Sequence, residues 1–196
     1  MIAVKPKYYN EIYSYISSFY PVSESSFELM IGAAQLKEVK AGTILDNIGD
    51  IPNKIYLLNR GVMRSYVRLE NGKEVTKSIF VPIIILASFD ALINQTTSES
   101  IYETLTDCEI YEIDYITYKK LCENNLDILF FHTKFLEFLL CQNDKKHIEL
   151  LTLNAKGRYL KLRKMIPNID NLIPQYQIAA YLSITPVQLS RIRSKL

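Results

Sequence analysis

The chain has 196 residues, of which 48% are hydrophobic and 22% are charged. This composition supplies enough apolar surface for a folded core and excludes a wholly disordered chain. The apolar runs are no longer than a strand, so we expect no membrane-spanning helix. The three cysteines are widely spaced, which argues against a disulfide framework and a Cys-x-x-Cys metal site. The first residues do not resemble a secretion signal, so we expect a cytoplasmic protein.

The charged residues are distributed unevenly along the chain. Residues 154–196 contain eight Lys or Arg residues and one acidic residue, Asp170, whereas residues 1–153 contain fifteen basic and twenty acidic residues. A small basic module joined to an acidic one is typical of a protein whose C-terminal part binds a polyanion. A solvated basic surface without a partner would carry the same charge, so charge alone leaves both interpretations open.

Two short helices are predicted first, over residues 8–20 and 23–36, because their apolar residues recur at intervals of three and four. From residue 37 the pattern changes to short runs rich in Ile, Val, Tyr and Thr, separated by turns that contain glycine. The pair Asn71-Gly72 between two such runs predicts a tight hairpin. The spacing of the runs predicts a barrel or roll. Strands are predicted at residues 37–40, 43–47, 55–60, 62–69, 73–80, 83–86, 101–105 and 109–113.

The helical period returns after residue 114 and predicts helices over residues 115–123, 127–153 and 155–165. The long helix carries more apolar side chains than one sheet face can cover. We therefore expect part of its surface to pack against the same helix of a second subunit. A helix buried wholly within one chain is the alternative. The residues assigned to a homodimer interface are Phe131, Phe135, Phe138 and Leu139.

The C-terminal residues predict two helices separated by a tight turn. Ile178, Ala179 and Leu182 form the inner face of the first helix, over residues 174–182. Thr185 and Pro186 are suited to the cap and first position of the second. This arrangement, with arginines in the second helix, predicts a helix-turn-helix whose second helix enters the major groove of DNA. A helical hairpin that contacts no nucleic acid is the alternative. The candidate DNA-binding residues are Gln175, Thr185, Val187, Gln188, Ser190, Arg191, Arg193 and Lys195.

The side chains of the second helix differ in what they can recognise. Gln188 can pair with adenine through two hydrogen bonds and Arg191 with guanine, while Val187 can contact a thymine methyl group. Arg193 and Lys195 lie further along the helix and are expected to contact phosphates.

The order of these elements resembles the cyclic-AMP receptor (Crp/Fnr) family of bacterial transcription regulators. The run Ile173–Arg193 is similar to the branch common in Bacteroidetes-type bacteria. Residues 56–62 and 108–114 resemble the strand–glycine–strand corner and the last strand of that family's β-roll. The resemblance implies an α+β fold. A cyclic-nucleotide-binding-like β-roll (a double-stranded β-helix or jelly roll) would occupy residues 1–125, a long dimerisation helix 126–153 and a helix-turn-helix 154–196.

Two features depart from the family pattern. The chain stops at Leu196, so we expect the helix-turn-helix to lack a full wing. The family binds cyclic nucleotides through a Gly-Glu pair and, further along the chain, an Arg-Ser or Arg-Thr pair. These positions fall at Ala87-Ser88 and Ser98-Glu99, where the ribose carboxylate and the phosphate arginine are missing. Glu99 would place a negative charge beside a phosphate. We therefore expect a degenerate effector pocket and no response to cyclic AMP.

These observations predict a homodimeric transcription regulator that binds double-stranded DNA, with an unidentified small-molecule effector left open. The alternative is a β-roll that binds small molecules or acts as a scaffold and whose helical hairpin mediates protein contacts. An enzyme is the weakest interpretation, because no phosphate-binding loop, metal-ligand spacing or nucleophile motif is found and the chain has only two histidines. We expect no cofactor and no metal.

Overall fold

The computed structural model describes residues 7–196, in which an antiparallel roll is followed by a long helix and a C-terminal helical module. Helices α1 (Tyr9–Ser17) and α2 (Glu24–Gly32) precede the roll. The roll itself comprises β1 (Gln35–Val39), β2 (Ile44–Asp46), β3 (Lys54–Arg60), β4 (Met63–Arg68), β5 (Glu74–Phe80), β6 (Ile84–Leu86), α3 (Phe89–Asn94), β7 (Ile101–Thr104) and β8 (Cys108–Asp114).

The strands form two four-stranded antiparallel sheets, in the orders β1-β8-β3-β6 and β2-β7-β4-β5. All eight predicted strands are confirmed, with small shifts at their ends. The short helix α3 was not predicted, because six residues are too few to display a helical period.

The central strand β3 of the β1-β8-β3-β6 sheet is buried on both faces. Tyr56 and Leu58 of β3 point into the roll, whereas Ile55 and Leu57 point outward against the helices. This alternation follows from the period of two in a strand. The strand β3 therefore contributes side chains to two apolar cores, one on each face of the sheet.

The corner between β3 and β4 requires glycine. Gly61 has a φ of +97°, and a Cβ atom there would lie 2.5 Å from both the backbone oxygen of Asp107 and the sulfur of Cys108. Any side chain at this position would combine backbone strain with a clash against β8.

After the roll come α4 (Tyr115–Asn124), α5 (Leu126–Thr152), α6 (Ala155–Met165), α7 (Ile169–Leu172), α8 (Gln175–Tyr181) and α9 (Pro186–Arg193). Side-chain caps mark the starts of α4, α5 and α6: Asp114 accepts from the amide of Thr117, Asn125 from Ile128 and Asn154 from Gly157. In the described part of the chain no helix has the length and apolarity needed to cross a bilayer.

Two of the four residues assigned to a dimer interface from the sequence, Phe131 and Phe135, lie in the core of one chain, which corrects the assignment for these two, whereas Phe138 is 38% exposed. Phe131 and Phe135 are 2% and 4% exposed. The ring of Phe19 lies 5.4 Å from that of Phe135 and 5.1 Å from that of Phe138, and Leu139 packs against the same cluster. The physical reason is that the segment after α1 folds back over this face of α5 and covers it.

Candidate functional site

The start of α9 is fixed by two reciprocal hydrogen bonds. The amide of Gln188 donates to Oγ1 of Thr185 at 3.1 Å, and the amide of Thr185 donates to Oε1 of Gln188 at 2.8 Å. Together with Pro186 at the first helical position they form a capping box. Leu189 is 1% exposed and anchors the helix in an apolar cluster with Ile178. The first turn of α9 is therefore a rigid, outward-facing element.

Most of the candidate DNA-binding residues are brought together on this exposed surface. Val187 is 60% exposed although it is apolar. The side chains that share this outward position are Thr185, Val187, Gln188, Ser190, Arg191, Arg193 and Lys195. They combine hydroxyl, amide, apolar and basic groups, which can contact both base edges and phosphates.

One of the sequence-based assignments needs correction, and a second residue is held in place by the cap. The amide of Gln175 turns inward, where Nε2 donates to the backbone oxygen of Asp170 at 3.2 Å. It is therefore not available to a nucleic acid. The cap uses one of the two lone pairs of the Gln188 carbonyl oxygen and so fixes the orientation of this amide, while the second lone pair and Nε2 remain for a base.

Asp170, the single acid in residues 154–196, joins the parts of the C-terminal module. The hydroxyl of Tyr159 donates to both its carboxylate oxygens at 2.8 Å. Its oxygens also lie 3.5 Å from Nε of Arg163 and 3.6 Å from Nε of Arg193. Sequence reasoning missed this role, although a lone acid in a basic segment was a visible signal. The predicted phosphate contact of Arg193 would compete with this ion pair.

The module is docked on the roll through a buried guanidinium. Arg64 of β4 is 4% exposed. Its Nε donates to Glu103 at 2.7 Å, Nη2 to Glu74 at 2.7 Å and Nη1 to Oε1 of Gln177 in α8 at 2.9 Å. The ring of Tyr66 lies 3.8 Å from the guanidinium carbon. The two carboxylates that balance the charge of the guanidinium belong to the roll, and α8 supplies the third hydrogen-bond acceptor.

An apolar cluster accompanies this polar contact. Val62 and Ile79 of the roll belong to the same buried cluster as Ile178, Leu182 and Leu189 of the C-terminal helices. The helical module therefore shares a core with the roll.

Inside the roll, the positions expected to bind a nucleotide hold a pair of serines. The hydroxyls of Ser88 and Ser98 lie 2.9 Å apart, and Ser98 also donates to the backbone oxygen of Ser100 at 2.8 Å. The backbone oxygen of Ala87 accepts from the hydroxyl of Tyr102 at 2.7 Å. Ala87, Ser88 and Ser98 are buried.

Glu99 does not belong to this group, which corrects its assignment to the pocket. Its side chain is exposed, whereas Ser98 and Ser100 on either side are buried. The reason is that the chain bends at Glu99 and Ser100, where Oγ of Ser98 bonds to both the backbone oxygen and the amide of Ser100 and Glu99 is left on the outside.

A second surface, which the described residues leave exposed, runs along α5. It consists of leucines at intervals of three, seven, four and ten residues, which fit the a and d positions of one heptad register. We call it the leucine stripe. Its members are Leu126, Leu129, Leu136, Leu140 and Leu150, of which all but Leu136 are exposed.

Residues 36–125 match the sequence model of the cyclic nucleotide-binding domain family. The roll is therefore similar to cyclic nucleotide-binding domains. Among curated proteins no match to the chain is found.

Solved structures of Crp/Fnr-type regulators share the fold over most of the chain. The c-di-GMP responsive global regulator CLP of Xanthomonas campestris has a TM-score of 0.68 at 17% identity, covering 88% of this chain and 91% of its own. The catabolite activator protein of Thermus thermophilus has 0.58 at 18%, covering 91% and 85%. FixK2 of Bradyrhizobium japonicum has 0.68 at 15%, covering 83% and 84%.

The roll contains a buried carboxyl group that sequence reasoning missed. Asp46 is 5% exposed, accepts a hydrogen bond from the hydroxyl of Tyr56 at 3.2 Å and is paired in register with Tyr102. Its second oxygen, Oδ2, is buried and has no hydrogen bond. Burial raises the pKa of Asp46 to about 6.

We predict that Asp46→Asn removes a pH dependence of stability. Because the folded state holds the Asp46 proton more tightly than the unfolded chain, the free energy of unfolding should fall as the pH rises from about 4 to about 6, by about 3 kcal/mol in total. Asparagine still accepts from Tyr56 but does not titrate. Urea unfolding across this range should therefore give a flatter profile for the variant and greater stability at pH 7. An equally steep profile in the variant would assign the effect to another group.

Proposed function

We propose that this protein is a homodimeric transcription regulator of the Crp/Fnr type that binds double-stranded DNA through α9. The observation that carries the proposal is the capped, basic and outward-facing α9, held by α8 on a domain of the cyclic nucleotide-binding fold. α8 and α9 would form the helix-turn-helix. In that motif the second helix inserts its N-terminal residues into the major groove, and here those residues are the rigid, exposed ones.

Base recognition would centre on Arg191. Its side chain is exposed and has no ion pair with a described residue, so it is free to donate two hydrogen bonds to guanine. Val187 offers an apolar contact to a thymine methyl group. Lys195 lies at the end of the helix, where it would contact the phosphate backbone.

The second subunit would pack on the leucine stripe. An exposed row of leucines in one heptad register favours a parallel pair of α5 helices related by a two-fold axis. Thr133, Asn143 and His147 occupy the remaining positions of this register and are exposed. Polar residues at such positions fix the register of a coiled coil.

Regulation would pass from the roll to the recognition helices through two rigid contacts. Lys146 of α5 bonds to the backbone oxygen of Lys77 and, at 3.0 Å, to the hydroxyl of Ser78, both in β5. Arg64 connects the same sheet to α8. A change in the roll would shift α5 and α8 together and so alter the spacing of the two α9 helices in the dimer.

We predict different effects from two substitutions in α9. Arg191→Ala should reduce the preference for the specific site, since a bidentate contact to guanine contributes about 1–3 kcal/mol of discrimination. Lys195→Ala should weaken binding to all sequences alike and lower the salt dependence of log K by about one. Fluorescence anisotropy with selected genomic fragments, at several salt concentrations, measures both quantities.

Lys120→Ala is the matched control, because Lys120 is exposed on α4, outside the proposed interface. Its affinity and salt dependence should equal those of the wild type. Absence of salt-dependent DNA binding in the wild-type protein would contradict the proposal and favour a protein-contact role for α8 and α9.

For the dimer we predict that Leu140→Asp gives monomers. Leu140 is 72% exposed in one chain, so a carboxylate there is tolerated in the monomer but would be buried in the proposed seam. Light scattering and near-UV spectra should show a folded monomer. Leu29→Asp changes an exposed leucine of α2 and should stay dimeric. A monomeric wild type at micromolar concentration would contradict the assignment.

The roll interior should not respond to cyclic AMP. The serine pair offers no positive charge to a phosphate, and Asp46 adds a buried carboxyl to the same interior. We predict that cyclic AMP or cyclic GMP at about 1 mM leaves the melting temperature unchanged, since a ligand that does not bind the native state cannot stabilise it. An increase of several degrees with either nucleotide would contradict this prediction.

A further inference from the structure

A cavity of about 80 Å³ lies outside the roll, between the β1-β8-β3-β6 sheet and the helices α1, α2, α4 and α5. We call it the lateral cavity. The sheet separates it from the roll interior, because Leu57 faces the cavity and Tyr56 faces the roll. The side chains used below as its apolar walls are Ile12, Phe27, Leu57, Phe131 and Phe135.

The walls are suited to an apolar molecule. Among the described residues, no Asp, Glu, Lys or Arg side chain lines the lateral cavity. Protein interiors are normally close-packed, and the atoms lining a void lose the dispersion contacts that a neighbour would provide. Apolar cavities stay dry but take up small aromatic molecules such as benzene. An aromatic ring would restore these contacts.

One polar pair lies among these walls. The hydroxyl of Tyr118 is 3.3 Å from Nδ1 of His132, and Tyr118 is 7% exposed. Burial, and to a lesser extent the charge of Lys119, lower the pKa of His132, so the imidazole is neutral near pH 7. A neutral imidazole and a phenol together can donate and accept hydrogen bonds without a buried charge. They match a single uncharged hydroxyl group.

We propose that the lateral cavity binds a small, uncharged aromatic molecule with one hydroxyl group, a phenol in chemical class. The ring would pack among Leu57, Phe131 and Phe135, and the hydroxyl would bond to the Tyr118–His132 pair. This binding site does not depend on DNA binding or on the dimer.

Isothermal titration of the full chain with three probes tests the proposal. p-Cresol should bind with a Kd below about 1 mM, a value within reach of a ligand of this size. Toluene, which lacks the hydroxyl, should bind about tenfold more weakly. Benzoate should not bind, because its carboxylate would be buried without a cation. No binding of p-cresol, or equal affinities for p-cresol and toluene, would overturn the proposal.

Three variants locate the site. Tyr118→Phe should weaken the binding of p-cresol and reduce its advantage over toluene, because one of the two groups that bond to the ligand hydroxyl is gone. Leu57→Phe fills the cavity and should bind neither p-cresol nor toluene. Tyr176→Phe removes a hydroxyl from an exposed tyrosine of α8 and should retain the tenfold difference. If folded Leu57→Phe bound p-cresol as tightly as the wild type, the assignment of the binding site to the lateral cavity would be wrong.

The wild-type chain offers a further measurement in case these variants fold poorly. It contains two histidines, His132 at the lateral cavity and His147, which is exposed further along α5. In NMR spectra of the imidazole groups, p-cresol should shift the resonances of His132 and leave those of His147 in place. Unchanged His132 resonances at saturating p-cresol would overturn the proposal.

Discussion

The buried guanidinium of Arg64 is the contact on which the arrangement of the two halves depends. A charge removed from water is tolerated only when it is paired and its donors are satisfied. Glu74 and Glu103 supply the charge from neighbouring strands, and Gln177 completes the set from α8. Because Gln177 lies 113 residues away in the chain, this bond links the roll directly to the C-terminal module. Removing one partner would leave a buried polar group unpaired.

From this contact the placement of the remaining C-terminal elements follows. With the inner face of α8 held on β5, α9 packs on α8 and turns its charged side chains to solvent. Asp170 forms a second electrostatic centre, within the module, which holds Tyr159, Arg163 and Arg193. A basic module therefore retains a defined shape despite the mutual repulsion of its cations. Apart from Arg193, which pairs with Asp170, the proposed DNA-binding surface is the part of that module which neither centre uses.

The long helix α5 serves two purposes because its apolar residues lie on two faces. One face, with Phe131 and Phe135, completes the core of its own chain and forms a wall of the lateral cavity. The other face carries the leucine stripe. A ligand in the lateral cavity would thus contact the same helix that we propose as the dimer contact. In the roll interior, by contrast, Ser88 and Ser98 bond to each other, and Asp46 bonds to Tyr56, which also belongs to the roll.

The sequence by itself determined those features that depend on residues close together in the chain. The periods of two and three to four residues located the eight strands and the long helix, and Thr185 with Pro186 located the start of α9. Only the tertiary structure decided which apolar face of α5 is covered, that Glu99 points to solvent and that Arg64 meets Gln177. Periodicity indicates that a side chain will be buried, but the partner that buries it is brought close only by the folding of distant segments.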